Sequence, residues 1–173
     1  MIHRKDAIEL ICKEELNSLI LSDRESILLN WWYIDENDPE FHQLSCQLQQ
    51  KIREFEIPDD PDNREYDELI LIALKSHYVG IRNDYLKNIM RNKGLGVFKI
   101  NGMPEILEVC PCCGYRTLET QSNFEVCPIC HWEDNGITEL DKYSGPNHMT
   151  LREAKEKFKN SKIADLDKWV KNF

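Results

Sequence analysis

The chain has no apolar run approaching the roughly 20 residues that a membrane helix needs, so hydropathy gives no span. Its first residues, Met1-Ile2-His3-Arg4-Lys5-Asp6, lead into an amphipathic, Glu-rich segment and not into the apolar core of a secretion signal. The expectation is therefore a cytoplasmic protein with no membrane partner. There is no Ser-His-Asp elbow, no phosphate-cradling loop and no His-Glu-x-x-His metal motif. These absences remove the common enzyme signatures and tilt the reading away from catalysis. No low-complexity linker is present. Positive charge is also short, with 22 Lys and Arg against 31 Asp and Glu and a formal net charge of −9. An acidic protein repels phosphate backbones, which counts against nucleic acid as a partner.

At 173 residues the chain can bury one good core, or one core and a small satellite. Its charge is uneven. Twelve acidic residues lie between Asp35 and Glu68, opposed by Lys51, Arg53 and Arg64, so this stretch alone carries the whole net −9. The candidate partner-binding residues are Asp35, Glu36, Asp38, Glu40, Asp59, Asp60 and Asp62. Such a face attracts a basic protein and raises its on-rate; the plainer reading is a solvated helical face with an acidic loop.

The first ninety or so residues read as helices. Ile8, Ile11, Cys12, Leu16, Leu19 and Ile20 recur at helical spacing, and lone Cys12 and Cys46 read as core residues of such helices. Ser22-Asp23-Arg24-Glu25 has the form of a capping box for the next helix, through Trp31 and Trp32. Those two tryptophans are neighbours and cannot both face one stripe. Asp38-Pro39 reads as a cap with proline at the first helical position, opening a stripe of Phe41, Leu44, Leu48, Ile52 and Phe55. After the break at Pro58-Asp59-Asp60-Pro61, Tyr66, Leu69, Ile70, Ala73, Leu74 and His77 form another stripe, ended or bent at Gly80. A short helix through Tyr85, Leu86, Ile89 and Met90 follows. Val97-Phe98-Lys99-Ile100 predicts a strand, with Asn101-Gly102 as a hairpin turn. Short strands are expected within 105–109, 117–120 and 124–126. Thr150-Leu151-Arg152-Glu153 predicts a capped helix to about Lys159, and residues 165–170 a last amphipathic turn.

Seven cysteines are present, and four form two matched steps, Cys110-Pro111-Cys112-Cys113-Gly114-Tyr115 and Cys127-Pro128-Ile129-Cys130-His131-Trp132. Two residues between paired thiols make a tight turn that aims both sulfurs at one point, and two such turns make the tetrahedral thiolate cage of a closed structural zinc site. In a reducing compartment this spacing favours metal over disulfide. Cys110, Cys113, Cys127 and Cys130 are the candidate ligands of a structural Zn²⁺; iron in the same cage is the alternative. Cys112 would then point away, as Ile129 does. Proline fixes φ, and glycine at Gly114 allows the left-handed conformation that closes the turn. His131 replaces that glycine in the second step. A thioredoxin-like dithiol would need a helix after the pair, and no helical stripe starts at Gly114-Tyr115.

The run from Cys110 to Leu118, the segment Cys127-Pro128-Ile129-Cys130-His131-Trp132-Glu133-Asp134-Asn135-Gly136 and the segment from Ser144 through Gly145-Pro146-Asn147-His148 to Lys155 together resemble the bacterial cysteine-rich CPCC family, over roughly residues 110–158. The resemblance implies a small zinc-ribbon-like domain without an assigned activity, of a kind also found in proteins that neutralise bacterial toxins. The expected architecture is α+β, with a helical domain over residues 1–93 and a zinc-ribbon-like domain with a C-terminal helix over residues 94–173. The expected function is a non-enzymatic acidic binding module, an immunity or antitoxin protein for a basic toxin. Two alternatives stand beside it: a metal-dependent enzyme with a site near Glu133, Asp134 and His148, and a nucleic-acid-binding ribbon using Lys155, Lys157, Lys159 and Lys162.

Overall fold

A computed structural model describes residues 1–172. In chain order the elements are β1 (Ile2–His3), α1 (Arg4–Ser18), α2 (Leu21–Trp31), α3 (Cys46–Glu54), α4 (Asp67–Ser76), α5 (Asn83–Asn92), β2 (Ile100–Asn101), β3 (Glu108–Val109), β4 (Arg116–Leu118), β5 (Tyr143–Ser144), β6 (Met149–Thr150) and α6 (Leu151–Asn160), with short 3-10 turns at Phe41–Gln43, Arg64–Tyr66 and Leu166–Lys168. The class is α+β. The chain forms two compact units. One takes Met1–Val79 and Lys87–Asn101; the other takes Gly80–Leu86 and the chain from Gly102 onward. No helix among the described residues is long and apolar enough to cross a membrane.

In the first unit α4 packs against both α1 and α2. Leu69, Ile70, Ala73 and Leu74 supply its buried stripe, against Ala7, Ile11, Cys12 and Leu16 of α1. Burial pushes the Cys12 thiol up to about 12, so it behaves as a small apolar residue. His77, expected on the α4 stripe, is exposed, and Tyr78 takes the inward place, its hydroxyl donating to Glu15 at 2.7 Å. Arg24 on α2 is 3% exposed. It donates from Nε to the Pro61 carbonyl at 3.1 Å and from Nη2 to the Asn63 carbonyl at 3.3 Å, and its Nη1 lies 2.9 Å from Asp67 Oδ1. One guanidinium thereby ties the proline-rich loop to the start of α4.

Two helix starts depart from the sequence reading. The Ser22 capping box does not form, because α2 already begins at Leu21: Ile20 takes the cap place, its carbonyl accepting from the Asp23 and Arg24 N–H groups, and Ser22 falls inside the first turn. The helix expected to open at Asp38-Pro39 opens instead at Cys46. The Asp38 carboxylate turns back to accept from the Asp35 N–H at 2.8 Å, leaving it unavailable as a forward cap. Phe41–Gln43 makes only a 3-10 turn; Gln49 Nε2 then donates to the Phe41 and Leu44 carbonyls across the break. Glu68 accepts from the Ser45 N–H at 2.8 Å, supplying a carboxylate at the α3 N-terminus. Cys46, as the first residue of α3, is exposed and not core. Asn101-Gly102 does not form a hairpin. Only Ile100–Asn101 is strand, and it pairs in parallel with the chain start, Ile2 with Ile100 and His3 with Asn101. A partner 98 residues away in sequence carries no local signal.

In the second unit β3 pairs antiparallel with β4 across an irregularity at Glu108 and Val109, and β5 pairs antiparallel with β6. The Thr150 capping box is present, with Glu153 accepting from the Thr150 N–H at 2.7 Å and the Thr150 hydroxyl accepting from the Glu153 N–H at 3.3 Å. It starts α6, which buries Leu151 and Ala154. The C-terminal segment returns alongside the first cysteine step: the Arg116 N–H donates to the Val170 carbonyl at 2.8 Å and the Asn172 N–H to the Gly114 carbonyl at 2.9 Å. Apolar residues here cluster around the cysteines themselves.

Candidate metal centre

The two cysteine steps fold into the same turn. In the first, the Gly114 N–H donates to the Cys110 carbonyl at 3.0 Å and the Cys110 N–H to the Tyr115 carbonyl at 2.9 Å. In the second, the His131 N–H donates to the Cys127 carbonyl and the Cys127 N–H to the Trp132 carbonyl, both at 2.9 Å. The closing residue of each turn is left-handed, Gly114 at φ 78° and His131 at φ 59°. His131 thus does the work of the glycine, at a steric cost of about 1 kcal/mol for an L-residue. Replacing His131 by glycine is expected to leave metal content unchanged and to shift stability by between nothing and about 1 kcal/mol in the favourable direction. Metal analysis and a melting curve check this; loss of metal in that variant would make the imidazole a ligand.

The turns bring the sulfurs of Cys110, Cys113, Cys127 and Cys130 within 4.8 Å of one another. Cys110 and Cys130 sulfurs are 3.5 Å apart, and those of Cys113 and Cys127 are 3.7 Å apart. Four thiolates about 2.3 Å from a central Zn²⁺ lie roughly 3.8 Å from each other, so this cage has the dimensions for a metal ion. All four are free thiols; Cys110, Cys113 and Cys127 are buried and Cys130 is half-buried. Cys127 receives a further contact from the Thr117 hydroxyl at 3.1 Å and one from the Ile129 N–H at 3.4 Å. Nothing in the sequence singled out Thr117. Hydrogen bonds from Cys110, Cys113 and Cys130, with Thr117 adding to them, draw the Cys127 thiol below its ordinary pKa, while hydrogen bonds with Cys110, Cys127 and Cys130, together with burial, push Cys113 up. A divalent ion at the centre allows all four to be thiolates. Cys112 stands outside the set. Like Ile129 it is 5% exposed and packs in the core of the unit. Lys155 of α6 donates to the Pro111 carbonyl and fastens the first turn to that helix.

The other sequence candidates of this unit have mainly structural engagements. Asp134, 3% exposed, accepts from the Ser122 N–H at 2.7 Å and the Gly136 N–H at 3.3 Å, which organises the loop after the second turn. Asn147 accepts from the Glu133 N–H and donates to the Glu133 carbonyl, both at 2.8 Å, so the turn between β5 and β6 is tied to the residue after Trp132. His148, at φ 52°, is an exposed corner of that turn. Glu133 lies on the edge of a largely apolar cleft of about 660 Å³ between the second cysteine turn and α6. Lys155 is half-buried, and Lys157, Lys159 and Lys162 are exposed.

In the first unit, the acidic candidates divide. Asp35 accepts from the Asn37 N–H at 2.7 Å and Asp60 from the Asp62 N–H at 3.1 Å; Asp59 accepts from the Tyr66 hydroxyl and the Asp60 N–H. These carboxylates shape their own loops. Glu36 pairs with Arg53 at 3.7 Å, and Glu40 is half-buried.

Residues 108–167 match the family model described as Cysteine-rich CPCC. This segment contains both cysteine turns and α6, so the similarity to the CPCC family falls on the second unit, whose four-cysteine cluster could hold a metal ion. No curated protein and no solved structure gives a significant match to the chain.

Proposed function

We propose that the cage holds a structural Zn²⁺ and that the protein is a non-enzymatic binding module, with the acidic stretch 35–68 docking a basic protein in the manner of an immunity or antitoxin protein. The observation that carries this reading is the separation of tasks along the chain. Four cysteine ligands would complete a tetrahedral shell and leave no position for a reactive water, while the acidic stretch 35–68, with its own net charge of −9, lies in a different unit of the chain. A closed thiolate site stabilises a fold, and a concentrated acidic surface steers a cationic partner. The free thiols fit a reducing compartment such as the cytoplasm.

The test is co-expression of the full chain with a basic toxin domain encoded beside it, followed by gel filtration at rising salt and metal analysis of the purified complex. One zinc per chain, and a complex that weakens as salt rises, are the expected results. Iron in the cage would overturn the zinc assignment. A toxin left active and uncomplexed would overturn the neutralising role, and a complex indifferent to salt would overturn docking by charge.

A further inference from the structure

Asp59 and Asp60 accept hydrogen bonds within their own loop, and a second acidic surface of the same unit borders an aromatic groove, where Asp35 accepts from Asn37 and Glu54 from Gln50 through one carboxylate oxygen each. Between the ends of α2 and α3 lies a groove of about 350 Å³ whose walls include Trp32, Tyr33, Phe41 and Phe55 and whose edges include Asp35, Glu54 and Glu56. Trp32 is 2% exposed, and its indole N–H donates to the Phe55 carbonyl at 2.8 Å, which fixes the back wall. Tyr33 and Phe55 are 76% and 51% exposed, far more than rings on a core stripe. Phe55 was expected in that stripe; α3 ends at Glu54, and Phe55 follows in extended conformation. The groove already displays its preferred guest. The Arg53 guanidinium sits 4.9 Å from the centre of the Phe41 ring and pairs with Glu36 at 3.7 Å. An aromatic face below and a carboxylate beside a guanidinium is the arrangement that binds a cation most strongly at a surface.

We infer that this groove receives an arginine side chain from a basic polypeptide, stacked on Tyr33 or Phe55 and paired with the carboxylates of Asp35, Glu54 or Glu56. Arginine fits better than lysine because its planar head stacks on a ring while its N–H fork meets a carboxylate. Three edge carboxylates exceed the single positive charge of Arg53, so a second cation is welcome there. Exposed aromatic residues ringed by charge are also where binding energy concentrates in protein interfaces. The inference rests on the basic-partner reading above and names the place and the side chain.

Calorimetric titration of the full chain with an acetylated, amidated Gly-Arg repeat nonapeptide, and with its Gly-Lys counterpart, tests it near physiological salt. Tyr33→Ser, which alters a highly exposed ring, and the pair Glu54→Gln with Glu56→Gln are each expected to weaken the arginine peptide by about tenfold. Asp59→Asn with Asp60→Asn and Asp62→Asn should change it less than about threefold. The lysine peptide should bind more weakly than the arginine one. Binding lost in the 59–62 variant but intact in the groove variants would sink the groove and spare the basic partner. Equal binding of the two peptides would remove the stacked arginine. No binding of the arginine peptide by the wild-type chain would overturn both readings.

Discussion

Cys127→Ser is expected to empty the cage and unfold the C-terminal unit. Structural zinc in small thiolate sites supplies folding free energy of about 10 kcal/mol or more, and this unit has little else of that size. Its sheets are two-stranded pairs of two or three residues, and a lone two-stranded pair is marginal in water. Its buried residues include Cys110, Cys112, Cys113 and Cys127 themselves. Cys127 is the most deeply engaged of the four, fully buried and contacted by Thr117 and the Ile129 N–H. Serine cannot supply the thiolate. The variant should purify with less than one metal per chain, lose the protection of amides in 108–160 from hydrogen exchange and be prone to aggregate. Cys112→Ser is the control: it lies as deep in the core but outside the cage, and should keep its metal at a modest cost in stability. A metal-free Cys127→Ser protein with an unchanged melting curve would show that the sulfurs are not what holds this unit together.

Arg24→Ala is expected to destabilise the N-terminal unit by about 3 kcal/mol, because removing one partner of a buried ion pair strands the other. Here the groups left behind are the carbonyls of Pro61 and Asn63 and the buried Oδ1 of Asp67, whose Oδ2 keeps Arg64 at 3.4 Å. For a unit of this size the melting midpoint should fall by roughly 15 °C. Arg24→Lys should rescue little, since one ammonium cannot span two carbonyls on the loop and a carboxylate on the helix. Urea denaturation followed by far-ultraviolet circular dichroism measures the loss. A change below about 1 kcal/mol in Arg24→Ala would mean that the loop is held by its own turns, through Asp59, Asp60 and Asn63.

The parts of the fold that were legible in the sequence are those set by local chemistry. The Thr150 capping box, the buried stripe of α4 and the tight turn within each cysteine step depend on residues within a few positions of one another. The failures share a cause. Ser22 and Asp38 carry good cap side chains, but Ile20 takes the cap place ahead of Ser22 and the Asp38 carboxylate found another partner nearby. Ile100 looked for a hairpin mate downstream and met Ile2 instead. Phe55 had the spacing of a core residue but fell one position past the end of its helix. At the site, spacing alone marked Cys110, Cys113, Cys127 and Cys130, since a turn of fixed length needs no tertiary information. Thr117 on Cys127 and Lys155 on Pro111 could not be read, because contacts over 10 and 44 residues leave no periodicity behind.

The parallel pairing of Ile2 and His3 with Ile100 and Asn101 has a consequence for synthesis. A ribosome delivers Ile2 and His3 well before Ile100 and Asn101, so the earlier strand must wait, unmated, until the long stretch of chain between them has emerged. Bringing ends so distant together carries the entropic penalty of a long loop. Until then the nascent helices have no lock across their beginning, and an unmated edge is the kind of surface on which neighbouring chains meet.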